Sequence, residues 1–294
     1  MRRLLPGLAL LALLAAATLH QAETMRHRPV ELKLGPVLSP ALVRLLAGEH
    51  AGALAFRAVT RVMFYFGSFF DDDPNRVQKA PEYAAMYQHL GQAVQLDPYN
   101  LDAYYFAQAA FTWEVGRARE VNLLLDKGIG HRRWDYSLPF YAGFNAAFFL
   151  KDYPQAARYF QMAAERSGNP LFTGLAARYF NEAGQTQLGI SYLETMIKGA
   201  SDHKTRLIYA KRRDALLAVR TIEQAMARYR ERYGQRPGHL GDLVARGLLP
   251  AIPVDPYGGT FYLDEQNRVR TSSKFALQFP DKAPLSPRLP DHEE

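Results

Sequence analysis

The stretch FYAGFNAAFFLKDYPQAARYFQMA, residues 140–163, decides how the rest of the chain is read. Phe140, Tyr141, Gly143, Phe144, Ala147 and Phe148 recur at helical spacing, Lys151-Asp152-Tyr153-Pro154 forms a turn, and Ala156, Tyr159, Phe160 and Ala163 resume the helical period. Alternating small and aromatic residues let two antiparallel helices approach closely while a large ring fills the gap above. Such a pair cannot bury its apolar face alone, so it stacks on similar neighbours.

Similar pairs lie on both sides. Upstream, a helix ends in Ala93 to Asn100, and the next carries Leu101, Tyr104, Tyr105, Ala107, Gln108 and Phe111 before Val115-Gly116. Downstream, Asn169-Pro170 breaks the chain, and Ala176, Ala177, Phe180, Gly184, Leu188, Leu193 and Met196 trace a last pair. Pro98 and Pro170 are spaced near two periods of ~34 residues. These residues resemble the tetratricopeptide repeat family over residues 81–202. Asp152-Tyr153-Pro154-Gln155-Ala156-Ala157 is similar to that family's helix turn, and Leu96-Asp97-Pro98 to its closing proline. The Trp-Leu-Gly start of the family is absent, and Gly128 to Trp134 lengthens a connector. The resemblance implies a helical-hairpin solenoid whose concave face holds a peptide or protein partner.

Most aromatics at helical spacing belong to a core. Tyr105, Trp113 and Trp134 are the outward candidates for contact with a partner. Residues 39–80 form a helical segment with a break at Gly48 to Gly52, ended by Gly67 before Asp71-Asp72-Asp73-Pro74. Three adjacent aspartates suggest calcium, yet the alternating ligands, central Gly and closing Glu of an EF-hand do not follow. The triplet reads as a solvated capping turn.

Residues 203–274 combine a long helix, His203 to Tyr233, with a small cap. The helix carries a stripe including Leu207, Leu216, Val219, Ile222 and Tyr229, and much of its remainder is basic. Arg212 and Arg213 are candidates for an acidic protein or anionic headgroups. Beyond it, Leu240 to Ala245 reads as a short helix. Ile252 to Gly259, IPVDPYGG, forces tight turns, with Asp255, Pro256, Gly258 and Gly259 as its structural residues. Thr260 to Leu263 and Arg268 to Ser272 read as a β-hairpin around Asp264 to Asn267.

The order Tyr233-Gly234, Pro237, Leu240, Leu249-Pro250, Pro253-Val254-Asp255-Pro256-Tyr257-Gly258, Phe261-Tyr262 resembles the head of type II secretion major pseudopilins. It implies a pilin-like helix-plus-hairpin head, although the Gly-Phe-Thr-x-x-x-Glu processing site of that family is lacking. The fold class expected is therefore mainly α: an antiparallel helical-hairpin solenoid with a small C-terminal α+β cap containing a β-hairpin.

Met1-Arg2-Arg3 precedes an apolar run, Leu4 to Leu19, and Ala15-Ala16-Ala17 offers small residues for cleavage. Residues 1–22 thus read as a signal peptide or N-terminal membrane anchor, with 23–38 as connector and 275–294 as a disordered tail. The net charge of +7 is modest, so no nucleic acid is expected. The chain has no cysteine, which excludes disulfides, thiol chemistry and thiolate ligation. The eight histidines show no paired metal-ligand spacing, and neither a phosphate-binding glycine loop nor a nucleophile elbow occurs. The expectation is no enzyme, cofactor or metal. The expected role is an exported, inner-membrane-associated scaffold on the periplasmic side of a bacterial envelope, with a protein partner and contact to an anionic membrane surface. A pilus or secretion component is the alternative, and a hydrolase or glycan-binding accessory a third reading.

Overall fold

The computed structural model describes residues 5–26, 33–70, 80–113 and 115–273. The acidic triplet Asp71 to Asp73, residues 275–294 expected as a tail, and residues 1–4 and 27–32 of the segments expected as signal or anchor and connector lie outside them. The described chain is mainly helical and carries one two-stranded antiparallel sheet near its C-terminal end. It divides into two compact units, residues 1–106 and 107–294.

The first unit holds α1 (Leu5–Arg26), α2 (Pro40–Ala47), α3 (Ala51–Gly67), α4 (Tyr83–Leu96) and the start of α5 (Leu101–Trp113). The break at Gly48 is real: Gly48 has φ +51°, and a short 3-10 turn, Gly48–His50, separates α2 from α3. Ala55, Val59, Val62 and Tyr65 of α3 are buried, as are Met86, Leu90 and Ala93 of α4, which packs on α3. The end of the connector is not loose. Leu34 is fully buried, and Gln92 Nε2 and His89 Nε2 reach the carbonyls of Leu38 (2.6 Å) and Gly35 (3.3 Å). Burial, the largest influence on the His89 imidazole, lowers its pKa and favours the neutral form. In α1, by contrast, Leu11, Leu13, Leu14, Leu19 and Met25 all face solvent. Among the described residues no helix is long and apolar enough to cross a membrane.

In the second unit α6 (Ala118–His131), α7 (Ser137–Phe148), α8 (Tyr153–Ser167), α9 (Pro170–Glu182), α10 (Thr186–Gly199) and α11 (His203–Tyr233) each pack on the next. Helices α5, α7, α9 and α11 begin at Leu101, Ser137, Pro170 and His203, so successive starts are 33 to 36 residues apart. Caps explain several boundaries. Asp152, Asn169 and Asp202 accept from backbone N–H groups of the first turns of α8, α9 and α11, and Gly168 and Gly234 end α8 and α11 with positive φ. Small residues set the spacing between helices. A Cβ on Gly143 would stand 3.2 Å from the Phe160 ring, and one on Gly189 3.0 Å from Leu216.

The cap consists of the second half of α11, α12 (Leu240–Ala245), and strands β1 (Phe261–Leu263) and β2 (Val269–Thr271), paired with Tyr262 opposite Arg270. A hairpin this short is marginal by itself. Here Phe261 and Val269 join Val219, Ile222, Ala225 and Tyr229 of α11 with Leu240, Leu243 and Leu249 in one core. Asp255 anchors the turn before β1. Its carboxylate accepts from Tyr257 N (2.8 Å) and from the Thr271 hydroxyl, and its carbonyl from Gly258 N (2.9 Å). Gly258 has φ +83°, and Gly259 passes so close to Ser273 that any side chain would meet backbone.

Candidate interaction surface

Helix α7 positions two different sets of side chains. Its inner face carries Ala142, Gly143, Ala146 and the fully buried Asn145. The Asn145 amide exchanges two hydrogen bonds with Gln108 of α5 (2.9 and 2.7 Å) and donates to Asn122 Oδ1 of α6 (2.9 Å). Asn122 donates onward to the Ala142 carbonyl, 3.1 Å away. Three buried amides therefore satisfy one another at a single register of three helices, because a slip of any helix would strand them without partners.

Phe144 and Phe148 of α7, one helical turn apart and half-buried, stack at 5.4 Å with rings 13° from parallel. Trp113, at the end of α5, lies 5.9 Å from Phe144, 6.1 Å from Phe148 and 5.1 Å from Phe149. Its indole is still 48% exposed, and the Lys151 ammonium sits 5.5 Å from the Phe148 ring. The result is an aromatic surface with a cation at its border, held rigid by ring contacts and by the amide register beneath. Rigid aromatics of this kind give large contact area at low entropic cost.

The other expected contact residues are placed separately. Trp134 is 64% exposed in the connector before α7, whereas Trp113 meets the far end of that helix, so the structure does not join them. The Arg132 guanidinium lies 5.5 Å from the Trp134 ring and bonds Asp135 at 2.9 Å. Tyr105 is exposed on the part of α5 that belongs to the first unit. Arg212 turns inward: its guanidinium covers Gly174, Nη1 donates to the Gly174 carbonyl at 2.8 Å, and Tyr257 of the cap is a further partner. Arg213 pairs with Asp214 at 2.7 Å. Of the wider aromatic series, Tyr104 and Phe111 are core.

Sequence reasoning missed a junction between cap and repeats. A shallow cleft of about 210 Å³ is lined by Asn181, Glu182, Glu223, Met226, Asn267 and Arg270, among others. Its two carboxyl groups are held differently. Glu182 receives Arg270 Nη1 at 2.6 Å on each oxygen, whereas the single Thr186 hydroxyl lies 3.1 Å from both Glu223 Oε1 and Asn181 Oδ1. Burial pushes the Glu223 carboxyl above its usual range, against the pull of the Thr186 bond. Arg270 is also held by Asp264 Oδ2 at 2.9 Å. These charges fasten the hairpin to the end of α9. Among the described residues no three His, Asp or Glu side chains form a metal-type cluster. No protein-family model and no curated protein matches the chain.

Proposed function

We propose that the chain is an exported helical-repeat scaffold whose tetratricopeptide-like pairs bind a protein partner in the bacterial envelope. The observation that carries this reading is the aromatic surface of Trp113, Phe144 and Phe148, built on helices that start 36 residues apart, at Leu101 and Ser137. A half-exposed tryptophan braced by three phenylalanines is a costly feature for a chain with no use for it, and such anchors dominate protein interfaces. The uncovered leucines of α1 support export or attachment through the N-terminal segment, since an apolar helix with no cover in water belongs in a lipid or translocation environment. The role is one of binding rather than catalysis: in the cleft Glu182 is occupied in holding Arg270 of the cap, and Glu223 faces the Thr186 hydroxyl of α10.

The cap then seals the last repeat. Arg270 on Glu182 and Arg212 on Gly174 both tie it, directly or through Tyr257, to α9. A second reading, the cap as a pilin-like contact element of a secretion or pilus assembly, is favoured by one observation: Val254 is 86% exposed at the tip of the turn, beside the exposed Ile252. Co-purification from detergent-solubilised envelopes separates the two. Trp113→Ala abolishes recovery of the partner under the first reading, and Val254→Asp does so under the second. Retention of the same partner by both variants contradicts both.

A further inference from the structure

We infer that the edge of the second unit formed by the N-terminal ends of α7, α9 and α11 docks on an anionic lipid surface. Three contacts bring these ends together. Tyr136, just before α7, lies 5.6 Å from Phe172 in the first turn of α9, and Phe140 lies 5.5 Å from the same ring. The Thr173 hydroxyl of α9 meets the Tyr209 hydroxyl of α11 at 3.4 Å. On the α8 side Arg166 donates to the carbonyls of Ile129, Arg132 and Asp135, which fixes the connector carrying Trp134.

Along this edge Trp134, Tyr136, Leu171, Leu207 and Ile208 are all exposed. Scattered apolar residues on a surface need no explanation, but five large ones on adjoining helix ends form a patch. Their chemistry is that of a membrane interface, where Trp and Tyr sit at headgroup depth and aliphatic side chains reach below. The charges agree. Arg133 and Lys204 are exposed beside the patch; Arg206 is exposed with its guanidinium 3.2 Å from the Ala200 carbonyl, and Lys211, on the face of Lys204, Leu207 and Ile208, holds its ammonium 4.8 Å from the Tyr257 ring. The carboxylates interleaved with them are already engaged: Asp135 holds Arg132 at 2.9 Å, and Asp202 caps α11 through Thr205 N at 2.8 Å. Lysine and arginine stems flanking an apolar patch place their heads among lipid phosphates as the patch inserts. A protein partner would not require this pairing of aromatic belt and flanking cations, whereas a headgroup layer does.

The inference is independent of which protein binds Trp113, and its test contains no protein partner. Full-length chain carrying Trp113→Phe retains Trp134 as its one tryptophan, since the sequence has two. It is incorporated into vesicles of phosphatidylglycerol with phosphatidylethanolamine, or of phosphatidylcholine alone, each containing brominated lipid. The expected result is a blue shift and strong quenching of Trp134 on the anionic vesicles, at least threefold weaker quenching on phosphatidylcholine, and loss of quenching with Leu207→Asn/Ile208→Asn. Attachment through α1 is common to both variants, so the loss of quenching with Leu207→Asn/Ile208→Asn on anionic vesicles reads the edge alone. Unquenched Trp134 on anionic vesicles, equal quenching on neutral ones, or no effect of the double substitution overturns the inference. Far-UV circular dichroism of each variant confirms that the helices are retained, and the substituted side chains are exposed.

Discussion

Arg270 of β2 reaches back 88 residues to Glu182 at the end of α9, placing Nη1 2.6 Å from both carboxylate oxygens. Burial disfavours the charged guanidinium, but Glu182 and Asp264 outweigh it and raise its pKa. The pair is partly screened, with side-chain exposures of 23% and 12%. Arg270→Leu is therefore expected to cost about 1–2 kcal/mol, between the values for surface and buried pairs. Urea unfolding of Arg270→Leu, Glu182→Gln and the double variant checks this. A coupling energy near zero would show that the junction contributes nothing to stability.

Glu223 makes an opposite electrostatic contribution. Its folded pKa lies above the unfolded value because burial penalises the carboxylate. Its contribution to stability is thus fully present below the unfolded pKa of about 4.3 and is lost as pH rises through the raised folded value. Glu223→Gln, which keeps an acceptor for Thr186, is expected to be more stable than the parent at pH 7 and level with it near pH 4. Denaturation midpoints measured across that range test the sign, and a variant less stable at pH 7 would contradict it.

Asn145 has no exposure and holds both Gln108 and Asn122. Asn145→Leu leaves two buried amides short of partners, at about 1–3 kcal/mol each. Replacing all three residues with leucine removes the unpaired groups and is expected to recover part of that loss, while relaxing the register of α5, α6 and α7. Thermal unfolding with amide hydrogen exchange on α7 reports both effects. A triple variant less stable than Asn145→Leu by the sum of further losses would refute this account of the network.

Gly259→Ala tests the turn. A Cβ there would stand 2.7 Å from Ser273 Cβ and 2.9 Å from Asp255 Oδ2, with the Ser273 backbone nitrogen closer still. Overpacking of this kind costs about 1–3 kcal/mol, and its effect belongs in the cap: exchange protection of Phe261 to Thr271 is expected to fall before that of α7. Uniform loss across both regions would instead mean that cap and repeats unfold together.

Elements governed by local rules were legible from the sequence. The break at Gly48, the span His203–Tyr233 between Asp202 and Gly234, the short helix Leu240–Ala245 and the two strands all follow from caps, glycines and periodicity. Relationships between distant residues were not. Arg212 reads as one more cation on a basic helix until α9 presents Gly174, whose missing side chain makes room for the guanidinium. Gln108, Asn122 and Asn145 look like ordinary polar positions, because their mutual satisfaction exists only once three helices meet. The same limit hid the docking edge, where Trp134 and Leu207 lie 73 positions apart in a chain whose fold carries their helix ends to one side.

The most direct measurement of the central claim is site-specific photocrosslinking in living cells, with a benzophenone amino acid at Trp113, and at exposed Glu194 on α10 as control. The account predicts a discrete protein adduct from position 113 that disappears when Phe148→Asp is added and is absent from position 194. Equal adducts from both positions, or none from position 113 in folded full-length chain, would contradict a partner-binding role for the aromatic surface.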